Sequence, residues 1–280
     1  TIVQNAGGFG FVLNTEIALT ASDFFFITQM DIPNNNWNVT GTAGIDGILG
    51  LDLNDTIDGG AGYDLIWGGD GDDSLNGAIG SDRIWGGAGN DSIFGGAGGV
   101  LDTLMGGDGD DTIIAGNNGS ASQNLIYGDS GNDSIQMFNN SDTVYAGDGN
   151  DSVTGRAGNF NLSNCYIDLG EGNNQLTATG NSSGNNTATI IGGSGIDIIN
   201  LATGLSGTVA LGSGDDQLIV ANGMTATNAN LSGNITLGDG NDTLDVKTYY
   251  GIAAQNAALN IDAGNGNDWL NLSMYGKIGR

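Results

Sequence analysis

The sequence predicts an all-β repeat fold, and two regularities carry that prediction. The first is an unbroken run of six nine-residue units that starts at Gly41, each with glycine at its first place and aspartate at its sixth. These aspartates are Asp46, Asp55, Asp64, Asp73, Asp82 and Asp91. A short fixed period of this kind is typical of solenoids, in which each unit packs only on its neighbours.

The second regularity is an aliphatic residue at the eighth place of each unit. The first six are Ile48, Ile57, Ile66, Leu75, Ile84 and Ile93. Because side chains alternate between the two faces of a strand, this column is expected to point inward and form the core, with the seventh and ninth places outward. The alternative is a disordered Gly/Asn/Asp tract, but such a tract has no reason to keep an apolar column in register.

Composition narrows the possible functions. The chain has 280 residues, no histidine, and a formal charge of −27 from 32 acidic and five basic residues. Histidine is the usual catalytic base and a common metal ligand, so we expect no enzyme activity. The negative charge repels nucleic acid, and no apolar run reaches the ~18 residues of a membrane span, so neither nucleic-acid binding nor membrane insertion is expected. Cys165 is alone, which excludes a disulfide framework.

The stretch GGAGYDLIWGGDGDDSLN at 59–76 shows two units in full. It resembles the RTX (hemolysin-type) calcium-binding nonapeptide GGxGxDxUx, and the resemblance extends roughly from residue 41 to 271. In that family six residues form a turn and three a strand, with two units per coil. The resemblance therefore implies a right-handed parallel β-roll that binds calcium, with alternate units stacked on the same edge. It also implies export in an unfolded state through a type I secretion channel, hence a secreted, extracellular or cell-surface location.

Applied to the whole chain, the two-unit coil gives two edges of candidate calcium ligands. The sixth-place residues of the first edge are Asp55, Asp73, Asp91, Asp111, Asp133, Asp151, Asn174, Asp197, Asp216, Asp242 and Asp268. Those of the second edge are Asp46, Asp64, Asp82, Asp102 and Asp142, after which the pattern loosens. We expect Asn174 to weaken the sites beside it, because an amide oxygen carries no charge.

Calcium suits stacked aspartates because it takes about six to eight hard oxygen ligands, which two carboxylates and glycine-presented carbonyls can supply. Magnesium demands a tighter octahedron, and zinc prefers histidine or cysteine. About a dozen calcium ions would nearly cancel the charge of −27, so folding and calcium binding are expected to be one event.

Three segments are predicted. Residues 1–40 lack the nonapeptide and are expected to cap the roll, residues 41–114 to form a regular two-edged roll, and residues 115–280 to form an extended roll with one calcium edge and longer loops on the other.

The outward residues that follow the second edge form a column of large apolar groups. They are Leu49, Leu65, Trp67, Trp85, Met105, Leu125, Tyr127 and Tyr145. Such a stripe is expected to be covered. The candidates are residues 1–40 with Phe24, Phe25 and Phe26, another subunit, or a glycan stacked on the aromatic rings.

The sequence is compatible with two candidate functions. The first is a calcium-stabilised structural or assembly module of a bacterial extracellular surface protein, such as an S-layer, an adhesin or an oscillin-like filament, which self-associates or packs on neighbouring repeats of the same protein. The alternative is the calcium-folding tail of a type I-secreted toxin or hydrolase whose catalytic domain lies outside this sequence.

Overall fold

The structure is a computed structural model. It describes residues 36, 38–99, 101–116, 123–138, 141–155, 162–178, 186–202, 204–220, 232–249 and 259–275. The proposed N-terminal cap falls outside these ranges except for its last residues, of which 38–40 form a strand of the roll. Within the described ranges no helix has the length and apolar character needed to cross a membrane.

The described residues form 25 strands. In chain order they are β1 Asn38–Thr40, β2 Gly47–Asp52, β3 Thr56–Asp58, β4 Ala61–Gly62, β5 Leu65–Asp70, β6 Ser74–Asn76, β7 Ile79–Gly80, β8 Arg83–Ala88, β9 Ser92–Phe94, β10 Thr103–Asp108, β11 Thr112–Ile114, β12 Leu125–Ser130, β13 Ser134–Met137, β14 Thr143–Asp148, β15 Ser152–Gly155, β16 Tyr166–Asp168, β17 Gln175–Ala178, β18 Thr189–Ser194, β19 Ile198–Leu201, β20 Thr208–Ser213, β21 Gln217–Val220, β22 Gly233–Asp239, β23 Thr243–Tyr249, β24 Leu259–Asp262 and β25 Trp269–Tyr275.

Two long parallel sheets face each other, and the chain passes from one to the other at every turn. The first sheet has 12 strands in the order β1-β3-β6-β9-β11-β13-β15-β17-β19-β21-β23-β25, and the second has 11 in the order β2-β5-β8-β10-β12-β14-β16-β18-β20-β22-β24. A small third sheet joins β4 to β7 in the turns of the second edge. The prediction of an all-β parallel β-roll is confirmed.

The register places each eighth-place residue on its counterpart one coil away. Ile57 pairs with Leu75, and Leu75 pairs with Ile93. These aliphatic side chains lie between the two sheets, and on the first sheet all of them from Ile57 to Leu244 are at most 1% exposed. Burying each one is worth about 1.5–3 kcal/mol, so the column is the main apolar contribution to folding. Leu270 on β25 is 43% exposed because no described strand follows it.

The number of residues in a coil varies, although the strands stay in register. Asp55 and Asp73 are 18 residues apart in sequence, whereas Asp216 and Asp242 are 26 apart, and both pairs stack in the same way. The extra residues lie between a strand of the first sheet and the next strand of the second sheet. The turns of the first edge therefore keep a constant length even where the segments along the second edge contain extra residues.

The turns need left-handed backbone at their second and fourth places. In the unit that starts at 68 these places are Gly69 and Gly71, with φ of 118° and 131°. In the preceding first-edge unit they are Leu51 and Leu53, with φ of 93° and 86°. A left-handed conformation costs a residue with a Cβ roughly 1–2 kcal/mol. The first turn of this edge is therefore strained at both places, whereas among the later turns only Asp129, with φ of 73°, is a non-glycine residue at one of these places.

Candidate metal centre

The sixth-place side chains of the first edge form one buried column. Each residue from Asp55 to Asp242 in this series is at most 2% exposed, and Asp268 in the last described coil is partly buried. Carboxylates are rarely buried without a compensating partner, because leaving water is costly for a charged group. The column therefore raises the question of what its oxygens contact.

One carboxylate oxygen of each residue is held by the preceding coil. The backbone N–H of Asp55 donates to Oδ1 of Asp73 at 2.7 Å, and this sixth-place ladder continues to Asp268 with distances of 2.7–3.1 Å. Asn174 takes part, since its Oδ1 accepts from the N–H of Asp151 at 2.9 Å. The amide thus preserves the ladder while removing a charge.

The other carboxylate oxygen is buried and has no hydrogen-bond partner. On the first edge this holds for Oδ2 of Asp73, Asp91, Asp111, Asp133, Asp151, Asp197, Asp216 and Asp242, and on the second edge it holds for Oδ2 of Asp64 and Asp82. A buried acceptor left unpaired costs stability, and native proteins seldom tolerate a row of them. The atoms are therefore arranged for a ligand that is positively charged.

The first-place glycines leave a space beside these oxygens. A Cβ on Gly68 would overlap Oδ2 of Asp73 and lie 2.6 Å from the carbonyl oxygen of Gly86 in the next coil. Gly106 stands in the same relation to Asp111 and to Gly128. Carboxylate and carbonyl oxygens from neighbouring coils thus converge where a side chain would otherwise lie. Hard oxygen donors around such a space match the ligands that calcium prefers.

Carboxylates alone do not complete a site. Among the described residues no three acidic, histidine or cysteine side chains come together as a metal-binding group. Two aspartates per inter-coil space must therefore be supplemented by backbone carbonyls to reach the roughly six to eight ligands of calcium. The geometry supplies both kinds of oxygen.

The electrostatics of the column also favour a cation. Burial, together with the negative charges of Asp91 and Asp55, raises the pKa of Asp73 to about 7, although the hydrogen bond from the backbone N–H of Asp55 lowers it. Burial likewise raises the pKa of Asp111 to about 7 and that of Asp133 to about 6. Close carboxylates without a counter-ion oppose one another's ionisation. A bound cation relieves this repulsion and favours the ionised form of the carboxylates.

The second edge starts in the same way but does not continue. Its ladder passes from Asp46 through Asp64, Asp82 and Asp102 with N–H to Oδ1 distances of 2.8–3.0 Å. Asn124, which the sequence reading missed, then accepts from Asp102 and donates its N–H to Oδ1 of Asp142 at 2.8 Å. The sequence does indicate this position, because Asn124 stands two places before the aliphatic Ile126, as each sixth-place residue stands before its eighth-place residue.

Beyond Asp142 the sixth place of the second edge loses its acidic character. The position is taken by Cys165 and then by Ala188, as the backbone bonds from Tyr166 to Asp142 and from Thr189 to Cys165 show. Burial raises the pKa of the Cys165 thiol to about 12, so this group is a protonated, apolar occupant. The second-edge carboxylate column thus ends at Asp142, which lies inside the segment 115–280 that the sequence analysis assigned to a roll with one calcium edge.

A family comparison bears on this geometry. The model of the RTX calcium-binding nonapeptide repeat matches the chain in four copies, at residues 49–84, 77–99, 102–135 and 138–159. The chain carries RTX calcium-binding repeats. A search of the curated proteins found no match. The sixth-place ladder continues beyond the matched residues through Asn174, Asp197, Asp216, Asp242 and Asp268. The hydrogen-bond ladder found in the matched residues therefore continues to Asp268, in the last described coil.

The first-place glycines of the RTX repeats provide a direct test of the cation space. Gly68→Ala is expected to lower the calcium-dependent free energy of unfolding by about 1–3 kcal/mol, because the methyl group enters the space beside Asp73. The matched control is Gly44→Ala, where the added Cβ has its nearest neighbour, Thr42 Oγ1, at 3.6 Å. Urea unfolding in saturating calcium measures both. Equal losses in the two variants would show that the space has no special role.

Proposed function

We propose that the chain is a calcium-stabilised, secreted structural or assembly module of a bacterial extracellular surface protein. The observation that carries this proposal is the extent of the roll. All described strands from Asn38 to Tyr275 except β4 and β7 belong to two continuous sheets, and one hydrophobic cluster runs between them. The described chain is thus devoted to the repeat scaffold, which supports a structural role. A scaffold of this kind presents surfaces rather than a catalytic pocket.

The proposed location follows from the coupling of calcium to the fold. Stacked carboxylates repel one another until a cation binds, so a low calcium concentration keeps the chain open and a high one closes it. About a dozen divalent ions would nearly neutralise the formal charge of −27. Such a chain remains unfolded in a cell interior poor in calcium and folds after export, at the cell surface or in the medium.

The proposed assembly surface is the apolar column on the second sheet. Leu65 and Trp67 are 46% and 52% exposed, and Tyr145 is 36% exposed. Trp67 stacks on Trp85 with ring centroids 5.6 Å apart, and Tyr127 stacks on Tyr145 at 5.2 Å.

These rings cover one another's faces along the roll, so mainly their edges point away from the sheet. A ridge of ring edges suits the apolar surface of another protein subunit better than the flat stacking that sugar rings use. The partner we propose is therefore a second copy of the chain or a neighbouring repeat region of the same protein.

Assembly through this column is tested by particle size. In millimolar calcium the native chain is expected to form particles larger than a monomer, and Trp67→Ser/Trp85→Ser is expected to abolish them. Phe94→Ser is the control, since Phe94 is 41% exposed on the first sheet. Light scattering at several protein concentrations, with and without calcium, measures the particle size of each variant. A native chain that stays monomeric would instead favour the calcium-folding tail of a secreted toxin or hydrolase.

A further inference from the structure

A second ladder runs along the outside of the first edge, one place before the buried carboxylates. Its members, the fifth-place residues, are all exposed. They are Asn54, Asp72, Asn90, Asp110, Asn132, Asn150, Asn173, Ile196, Asp215, Asn241 and Asn267. The backbone N–H of each of these residues except Asn54 and Asp215 donates to the side-chain Oδ1 of the residue one coil earlier, at 2.7–3.2 Å. Nearly every first-edge turn is thus tied to its predecessor by this fifth-place ladder.

The two ladders run in opposite directions. The N–H of Asn132 donates backward to Oδ1 of Asp110 at 2.7 Å, whereas the N–H of the adjacent Asp133 donates forward to Oδ1 of Asp151 at 2.8 Å. Two consecutive peptide groups are therefore fixed by the two neighbouring coils. This arrangement leaves little freedom for the turn to rotate.

The backward bond also fixes a carbonyl. A trans peptide is planar, so its N–H and C=O point in opposite directions. When the N–H of a fifth-place residue points to the earlier coil, the carbonyl of the fourth-place residue before it must point to the later coil. The glycine contacts agree, because a Cβ on Gly131 would overlap the carbonyl oxygen of Gly109, the fourth-place residue one coil earlier.

These fourth-place carbonyls lie near the sixth-place carboxylates of the next coil. A Cβ on Gly240 would overlap the carbonyl oxygen of Gly214 and would lie 3.1 Å from Oδ1 of Asp242. A Cβ on Gly214 would likewise overlap the carbonyl oxygen of Gly195 and would lie 3.2 Å from Oδ1 of Asp216. The fifth-place ladder therefore aims a second kind of oxygen into the inter-coil space.

The two edges of the roll differ in this feature. On the second edge three of the first four fifth-place side chains are apolar, namely Ile45, Tyr63 and Leu101. The remaining one is Ser81, whose Oγ accepts a hydrogen bond from the N–H of Leu101 at 3.2 Å. The carboxylate column of this edge ends at Asp142. The first edge keeps its fifth-place ladder, with one break at Ile196, and its carboxylates, with one amide at Asn174, as far as Asp268.

We propose that the fifth-place Asn and Asp side chains of the first edge are positioning residues for the calcium ligands. Their Oδ1 atoms hold each turn against the next, and so they orient the fourth-place carbonyls toward the cation. They act through the backbone and do not touch the ion. This inference rests on the proposed calcium binding and goes beyond it by assigning a role to an exposed row of side chains.

The three aspartates of the ladder allow a charge-matched test. Asp110 accepts from both the N–H and the Nδ2 of Asn132, and Asp72 and Asp215 accept in the same way from Asn90 and Asn241. Changing all three to Asn keeps the Oδ1 acceptor, whereas changing all three to Ala removes it. Both triple variants lose the same three charges.

Two readouts separate positioning from general stabilisation. In saturating calcium the triple-Ala variant is expected to melt roughly 5–10 °C below the triple-Asn variant, because three sets of hydrogen bonds are lost. With terbium in place of calcium, luminescence decay in H2O and D2O counts bound waters. The triple-Ala variant is expected to decay faster in H2O, because water replaces misdirected carbonyls, and the triple-Asn variant to match the native chain.

The outcomes are distinct. Equal decay in the two triple variants overturns the proposal, even if their melting temperatures differ, because the ladder would then only stabilise the fold. Equal melting and equal decay overturn it as well. A native chain that binds neither terbium nor calcium would contradict the proposed function itself. If the triple-Ala variant does not fold, Asp110→Ala is compared with Asp110→Asn by the same two measurements.

Discussion

Removing calcium with a chelator is expected to abolish the β-strand signal of the chain in far-ultraviolet circular dichroism. The buried Oδ2 atoms of at least ten aspartates have no hydrogen-bond partner, and neighbouring carboxylates raise one another's pKa. Without a cation these costs add to the repulsion of a chain with a formal charge of −27. The free energy of folding then falls short of the conformational entropy that folding must overcome.

Returning calcium is expected to restore the spectrum in a steep transition, because the oxygens that would hold each ion come from two neighbouring coils. Magnesium at the same concentration serves as the control, since it demands a tighter octahedral geometry and gives up its waters reluctantly. A spectrum that stays unchanged in excess chelator would mean that the aliphatic column suffices to hold the roll. Full recovery with magnesium would show that charge neutralisation, and not calcium coordination, drives folding.

The second large effect is expected from single carboxylates of the two edges. Asp91→Asn should lower the free energy of unfolding in calcium by about 2–3 kcal/mol, and Asp142→Asn by less than about 1 kcal/mol. Asp91 lies between Asp73 and Asp111, so its charge serves two inter-coil spaces, each with a second carboxylate. Asp142 follows Asn124 and precedes Cys165 in its column.

Asparagine preserves the Oδ1 acceptor, so the comparison isolates the loss of charge at the cation space. Asp70→Asn is the control for net charge, because Asp70 is exposed at the third place of a first-edge turn. Urea unfolding in saturating calcium provides the measurement. If Asp91→Asn and Asp142→Asn cost the same, the two edges hold cations equally well, and the distinction between them fails.

Much of this architecture could be predicted from the sequence because burial repeats with the nonapeptide. The aliphatic eighth place and the acidic sixth place recur at fixed offsets, so Ile57 and Asp55 are assigned correctly to the core and to the buried column. Asn124 was missed because the sequence reading followed aspartate and not the spacing before Ile126. A neutral residue in an acidic column can be found in the sequence only from its spacing to the aliphatic residue that follows, and not from its residue type.

Other features depend on contacts between coils and have no local signature. Asn132 reads as an ordinary turn residue, and nothing in its neighbourhood shows that its amide bonds backward while that of Asp133 bonds forward. The positive φ of Leu51 and Leu53 could not be predicted either, because leucine disfavours that conformation. There the stacked coils determine the backbone and override the preference of the residue.

The variable coil length has a consequence for how such proteins change over time. The Asp151–Asn174 step spans 23 residues and the Asp216–Asp242 step spans 26, yet the ladder bonds at both steps are 2.9 Å. Insertions after a first-sheet strand thus leave the spacing along the roll untouched. The strands of the roll therefore keep a constant spacing while the loops along the second edge vary in length. Evolution or an engineer can lengthen one such loop, for example after Val220, and present a new epitope at a set distance from the neighbouring loops.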